Sequence, residues 1–440
     1  KISLPLKRGP YVIPANPVIL PPLFLLMVKF LARDSGRNCL YFYPQGCLDE
    51  AQKRGLATVL YLAIAPAPPC CSANCWAKQP HLSPPGVCRA AFSFGGRWTF
   101  PRNCAILLAE PGKEILFMQN YRWATLGCGV IANELAQALA SRGQTLYSVA
   151  NRTHAKAEAF AEKYGIEKVY DQIDDVFADP DVDIIYISTP HNTHIQYLRK
   201  ALAAGKHVLC EKSITLNSDE LAEAIRLAEE HHVVLAEAMT LYHMPIYRKL
   251  QEKLDTGALG ELRLIQMNFG SYKLYDMSNR FFNRNLAGGA LLDIGVYALS
   301  FVRWFMTSAP DEVVSQVRFA PTGVDEQAGI LLKNKEQEMA SVILSLHAKQ
   351  PKRGTVAFDK GYVEFYDYPR GQEAVITYTE DGSKETLRGG STADALLYEV
   401  EDMERAIAGQ GTMHLDYTRD VMRIMTDIRR QWGMTYPEEE

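Results

Sequence analysis

What this sequence lacks removes several classes of protein before any motif is read. The apolar runs Leu23 to Leu31 and Leu56 to Ala65 are bounded or interrupted by Pro21-Pro22 and Pro66-Ala67-Pro68-Pro69. Neither reaches the roughly 20 residues that a membrane-spanning helix needs. The order of a secretory leader, a cationic start followed by one apolar core and a small-residue cleavage site, is missing. Cys70, Cys71, Cys75 and Cys88 have no second Cys-x-x-Cys or His pair to complete a zinc site. A net charge of −4 argues against a nucleic-acid partner, and there is no internal repeat or low-complexity tract. The expectation is a cytoplasmic protein without metal, membrane or nucleic acid.

Proline and cysteine are scarce after residue 117 and abundant before it: 15 of the 23 prolines and seven of the nine cysteines precede residue 118. Charge divides at the same place. Residues 1–117 hold 13 Lys+Arg against 5 Asp+Glu, a balance of +8, and the remainder holds 34 against 46, a balance of −12. The first part shows neither helical nor strand periodicity and reads as a non-domain segment. Met118 opens the patterned part. Just ahead of it, the codons of Gly112-Lys113-Glu114 can spell AAGGAG, a bacterial ribosome-binding sequence, with Ile115 to Phe117 as the spacer. Residues 1–117 are therefore expected to be translated upstream sequence, the alternative being a disordered, cysteine-rich extension. Residues 118–238 and 239–440 are expected to form two domains.

The patterned part is organised around Tyr121 to Ala140, YRWATLGCGVIANELAQALA. Trp123 to Leu126 read as a buried strand, Gly127-Cys128-Gly129 as a tight turn, and Ile131 onward as an amphipathic helix. In the G-x-G-x-x-A pattern Gly127 permits the turn, Gly129 admits a pyrophosphate to the backbone, and Ala132 allows close helix–strand packing. The amides around Val130 and Ile131 would then face the phosphates. A second strand, Leu146 to Ala150, completes the βαβ unit. It ends Asn151-Arg152-Thr153 with Lys156 one turn on, and no carboxylate is available for ribose hydroxyls. This favours NADP over NAD, with Asn151, Arg152 and Lys156 near the 2′-phosphate; the alternative is that both cations are simply solvated.

Further along, Ile184 to Ser188 is an apolar strand ending at Thr189-Pro190, with His191-Asn192-Thr193-His194 opening the next helix. Thr189, Pro190, Asn192 and His194 thus fall at the carboxyl edge of the sheet, where ligands sit; the alternative for each histidine is a capping or surface role, since nothing adjacent tunes it. The strand His207 to Cys210 leads into Glu211-Lys212-Ser213, which sets an ammonium at the sheet mouth. There it can polarise a substrate oxygen. Cys210 reads as a buried strand residue rather than a nucleophile.

The run Ala201-Leu202-Ala203-Ala204-Gly205-Lys206-His207-Val208-Leu209-Cys210-Glu211-Lys212 resembles the A-L-x-A-G-K-H-V-x-x-E-K-P signature of the Gfo/Idh/MocA oxidoreductases. Ser213 stands where that family usually has proline. The resemblance covers essentially Met118 to Glu440. It implies an α/β fold, with an N-terminal Rossmann domain and a C-terminal α+β domain carrying a large, mostly antiparallel, open-faced sheet that commonly makes a dimer. The stretch Gly288 to Ser300 is similar to the family's G-G-x-L-x-D-x-G-x-H-x-x-D helix, with Tyr297 at the His position and Ser300 at the last Asp. The tyrosine variant looks like the branch of dihydrodiol dehydrogenase and glucose–fructose oxidoreductase. On a helix Asp293 and Tyr297 share a face.

The resemblance implies an NADP-dependent oxidoreductase, NAD remaining possible, that acts on a CH–OH or C=O carbon of a sugar, polyol or cyclic diol. Lys212 would polarise the oxygen. Tyr297, its pKa lowered by the ammonium, would be the general acid/base, and Asp293 would position the substrate or Lys212, while Glu211 would border the cofactor. Tyr297 as packed core is the bland alternative; a ligand sensor of the same fold is the functional one. Beyond Val313 six alternating segments read as an antiparallel meander, followed by helices at Ala393 to Ala408 and Tyr417 to Trp432. If residues 1–117 serve no purpose in the fold, protein begun at Met118 is soluble and binds NADP as tightly as the full chain. Insolubility or lost binding in that shorter protein would refute the upstream-sequence reading.

Overall fold

The computed structural model describes residues 121–440 and one antiparallel pair of two-residue strands, Ile13–Pro14 with Cys39–Leu40. The reading of residues 1–117 as a non-domain segment otherwise lies outside the described residues. Residues 121–440 form one compact unit containing two sheets.

The first sheet is wholly parallel. Its strands are β1 (Trp123–Leu126), β2 (Ser148–Ala150), β3 (Lys168–Val169), β4 (Ile184–Ile187), β5 (His207–Glu211) and β6 (Leu235–Ala238), in the order β3-β2-β1-β4-β5-β6. Every residue of β1 and β4 is buried, which explains their unbroken apolar character: both faces are covered. The covering helices are α1 (Val130–Ser141), α2 (His154–Tyr164), α3 (Asp175–Ala178), α4 (His194–Ala203) and α5 (Ser218–Glu230). In α1, Ala132, Leu135, Ala136 and Leu139 make the buried stripe at helical spacing. Helix α5 begins where the Asn217 side chain accepts from the backbone N–H groups of Asp219 and Glu220. Strand order reverses between β1 and β4, the point at whose carboxyl ends open α/β sheets place their ligand crevice.

From β6 the chain passes through α6 (Pro245–Asp255) and β7 (Leu262–Gly270) to α7 (Val296–Phe305). The second sheet is completed by β8 (Glu312–Phe319), β9 (Asp325–Lys333), β10 (Met339–Ser345), β11 (Arg353–Phe358), β12 (Gly361–Tyr366), β13 (Glu373–Tyr378) and β14 (Lys384–Arg388). The expected plain meander needs correction. β7, from earlier in the chain, lies between β10 and β11 and runs parallel to β10, all other neighbours being antiparallel. One face of the sheet buries Ile265, Met267, Ile330, Val342, Val356, Val363 and Ile376, with α7 packed on it. The other leaves Val314, Leu331, Ile343 and Tyr366 exposed.

Two last helices, α8 (Ala395–Ile407) and α9 (Leu415–Trp432), return to the first sheet. The indole N–H of Trp123 in β1 donates to Glu404 of α8 at 2.9 Å, and α9 packs against both α7 and α5. The apolar stretch Arg284–Phe305, long enough by composition to cross a membrane, is largely buried within this core.

The core holds four carboxyl groups that burial pushes far up: Glu237, Asp325 and Glu404 to about 7, and Glu399 to about 8. Each folded pKa exceeds its unfolded value, so the folded protein holds protons the unfolded chain has lost, and stability declines as pH rises through the folded pKa. Burial pulls His191 down to about 3, and His207 and His414 to about 4, which acts in the opposite sense. That opposition ends near the ordinary histidine pKa of about 6.5. Between about pH 6.5 and 8 the carboxyls act alone, and Tm is expected to fall by roughly 3 °C. Glu404→Gln keeps an acceptor for Trp123 and should flatten this slope. Calorimetry that finds Tm constant across the window, or the slope unchanged in the variant, would contradict the account.

Candidate functional site

Gly127 has φ +104°, and its N–H donates to Ala150 O at 2.8 Å, tying β1 to β2. A Cβ there would lie 2.8 Å from Ser188 Oγ and 3.0 Å from Ser188 O, so glycine is required. At Gly129 a Cβ would meet nothing within 4 Å. This residue is the N-cap of α1 and brings no side-chain acceptor to the first-turn amides; Val130 beside it is 80% exposed. Ile131 is half-buried and Ala132 lies fully buried against the sheet. Open space, free helix N–H groups and an uncovered valine together form a cradle that fits a dinucleotide pyrophosphate.

Beyond β2, the Asn151 amide donates to Thr153 O at 2.9 Å and shapes the turn. Arg152 and Lys156 are exposed, and among the described residues neither has a carboxylate within ion-pair distance. The Cys128 thiol is pushed up by burial and drawn back by the Lys156 charge, which places that ammonium near the glycine turn. The residues fit a dinucleotide that carries an additional phosphate.

At the end of β4, Thr193 Oγ1 donates to Thr189 Oγ1 at 2.8 Å, while Pro190 is exposed. The Asn192 amide points to the C-terminal tail, donating to Glu438 Oε1 at 2.6 Å and Asn285 O at 3.3 Å. His194 is a brace and does not line the crevice. It is fully buried, its Nδ1 2.9 Å from Ser213 O and its Nε2 2.8 Å from Thr189 O, because the first residue of α4 tucks beneath the strand ends. The expected cofactor contact through His194 therefore gives way to a role in holding Thr189 and Ser213.

The structure brings Lys212, Asp293 and Tyr297 together. The Lys212 ammonium donates to Asp293 O at 2.6 Å and Asp293 Oδ1 at 3.2 Å, and lies 4.8 Å from the centroid of the Tyr297 ring. Burial by itself would raise the Asp293 carboxyl, but Lys212, Arg280, His191 and Lys273 outweigh it and hold it below the usual range. Leu291–Gly295 is wound as a π-helix ahead of α7, a wider turn than the α-helix implied by the spacing, and one that recurs at functional sites. Ser213 Oγ donates to Leu292 O at 3.0 Å, pinning the turn where a proline was expected.

One expectation is reversed. The Tyr297 hydroxyl is pushed well above its ordinary pKa, first by burial and then by Glu211, so the phenol is held neutral rather than activated by the lysine. Glu211 accepts the Tyr186 hydroxyl on one carboxylate oxygen and the Lys212 backbone N–H on the other. The residues not found from sequence are His191, Lys273, Arg280 and Arg370. Arg280 approaches Asp293 Oδ1 at 3.7 Å, and Arg370 binds Glu134 of α1 at 2.9 Å. Arg280 and Lys273 lie in the irregular segment 271–281, where no periodicity marks them; the adjacent cationic and aromatic residues were the only signal.

Residues 121–239 match a family model described as an oxidoreductase family with an NAD-binding Rossmann fold, and residues 247–364 match the GFO/IDH/MocA C-terminal domain. The trans-1,2-dihydrobenzene-1,2-diol dehydrogenase of Homo sapiens is 32% identical over 335 residues, covering 72% of this chain and 99% of its own length. That of Mus musculus is 29% identical over 333 residues with the same coverage. Among solved structures, a levoglucosan dehydrogenase in complex with NADH superposes with TM-score 0.65 at 18% identity, covering 71% of this chain and 97% of that one. KijD10, a 3-ketoreductase from Actinomadura kijaniata in complex with NADP and TDP-benzene, gives TM-score 0.63 at 21% identity, covering 70% and 97%. These structural likenesses are of fold.

Replacement of Arg152 tests the cofactor cradle. Arg152→Asp removes a phosphate partner and supplies an acid for ribose hydroxyls, so relative affinity should swing from NADP toward NAD by on the order of 2 kcal/mol, some thirtyfold. Equal NADP and NAD dissociation constants before and after the change would show that Arg152 does not face the cofactor.

Proposed function

The chain belongs to the Gfo/Idh/MocA oxidoreductase family, and from that premise we propose an NADP-dependent dehydrogenase or reductase acting on a CH–OH or C=O carbon of a sugar, polyol or cyclic diol. The observation that carries the reading is the Lys212 ammonium, held by Asp293 beside the Tyr297 ring at the carboxyl edge of the parallel sheet. When bound, the nicotinamide supplies or accepts the hydride. Lys212 donates a hydrogen bond to the reacting oxygen and stabilises negative charge as it develops. Tyr297, held neutral by burial, gives its proton to that oxygen in reduction and recovers it in oxidation. Asp293 holds the ammonium in position.

The exposed apolar side chains Val314, Leu331 and Ile343 on the open sheet face support a homodimer through that face. The free thiols of Cys128 and Cys210 suit a reducing, cytoplasmic setting.

Lys212→Met should lower kcat roughly a hundredfold or more while leaving NADP affinity within a few-fold, and Tyr297→Phe should do likewise. If the two side chains act on one oxygen, the double variant is little worse than either single one. Steady-state kinetics on aldoses, inositols and vicinal diols read this out. Wild-type turnover in either single variant would remove that residue from the mechanism, and fully multiplicative losses would give the two independent roles.

A further inference from the structure

The mouth of this site carries more positive charge than the proposed reaction uses. Lys212 and Arg280 share one carboxylate, that of Asp293, at 3.2 and 3.7 Å. Lys273 Nζ and the Arg280 guanidinium carbon each lie 4.1 Å from the Phe281 ring centroid, so a single ring gathers both cations. Lys352 Nζ lies 5.2 Å from the Phe269 ring centroid, and that ring is 6.2 Å from Tyr297. Among the described residues neither Lys273 nor Lys352 has a carboxylate within ion-pair distance. Burial, then the charges of Arg280, Lys212 and Lys352, draw the Lys273 ammonium below its usual pKa, and Asp293 alone opposes them. Of these four cationic groups only Lys212 and Arg280 have a carboxylate within ion-pair distance among the described residues, and it is the same one, Asp293.

Placing like charges together costs free energy that a neutral substrate would leave uncompensated. We infer that the substrate carries an anionic group, a carboxylate or phosphate ester, which Lys273 and Lys352 receive while Lys212 holds the reacting oxygen. Resting on the oxidoreductase reading above, this narrows the substrate class to acidic sugars or polyols. The two anions share the recognition chemistry, charge-assisted N–H···O bonds.

Calorimetric titration of the full chain saturated with NADPH, using D-glucose, D-glucuronate and D-glucose 6-phosphate as probes, tests it. At least one anion should bind ten times more tightly than glucose, the better one identifying carboxylate or phosphate. The combined change Lys273→Gln with Lys352→Gln should cut that preference about tenfold, and Lys273→Arg with Lys352→Arg should retain it. Lys335→Gln, an exposed control, should leave it intact. Anions binding no better than glucose, or a preference that survives loss of both charges, would overturn the inference. Because binding is read, preferential anion binding without hydride transfer to or from any probe counts against the reaction and not against the anion site. Turnover of neutral sugars with no anion preference does the reverse.

Discussion

A buried ion pair that ties the end of a first-sheet strand to the π-wound turn before α7 is the constraint from which the site follows. The Lys212 and Asp293 side chains are only 13% and 11% exposed. Removing one partner from such a pair leaves an uncompensated buried charge, at a cost of about 3–5 kcal/mol. The end of β5 and the π-wound turn before α7 must consequently stay in register. Three anchors hold them there. Ser213 Oγ binds Leu292 O, His194 bridges Thr189 and Ser213, and Asp325 Oδ2 accepts the Leu291 N–H at 2.6 Å. Gly289, at φ +126°, lets Asp325 come so close that a Cβ would fall 2.2 Å from its Oδ1.

Around Tyr297 the electrostatics are layered. Glu211 and Glu399 act on the phenol to disfavour its anion, and Arg370 acts against them. The cations Lys212, Lys273, Arg280 and Lys352 form the other layer, at the crevice. On the proposed mechanism, a general acid that must remain protonated until an oxygen beside it gains charge is well served by that division: the carboxyl layer would protect the O–H, and the cation layer would meet the developing alkoxide. Arg370 also ties this arrangement to the cofactor helix through Glu134.

The sequence is most readable where local pattern and tertiary role coincide. β1 and β4 are buried on both faces and read as continuous apolar runs; the glycine turn declares itself because Gly127 needs a positive φ. Glu211-Lys212 and Asp293 to Tyr297 are visible because they border those elements. Other features were invisible for physical reasons. β3 is two half-buried residues held by β2 alone, and β14, Lys-Glu-Thr-Leu-Arg, has no apolar stripe because it lies at an edge. The insertion of β7 beside β10 is a long-range pairing that no local residue specifies. Whether His194 faces a crevice or braces two loops depends on where its helix docks, and the direction of the Tyr297 shift depends on burial, which spacing does not report.

The two halves of the site stand in different states of readiness. The Lys212–Asp293 pair is already formed and lies against the Tyr297 ring, so on the proposed mechanism the chemical step meets groups that need little reorganisation. The dinucleotide cradle is the opposite: Val130 is exposed, a Cβ at Gly129 would meet nothing within 4 Å, and among the described residues Arg152 and Lys156 have no carboxylate within ion-pair distance. Those groups gain partners only from a ligand, and their contribution reaches the folded state through binding rather than through the protein's own contacts. On the proposed reading, orientation for chemistry is built into the fold, whereas cofactor affinity rests on a few side chains around one turn. Cofactor preference is therefore open to change by single substitutions that leave the catalytic geometry untouched.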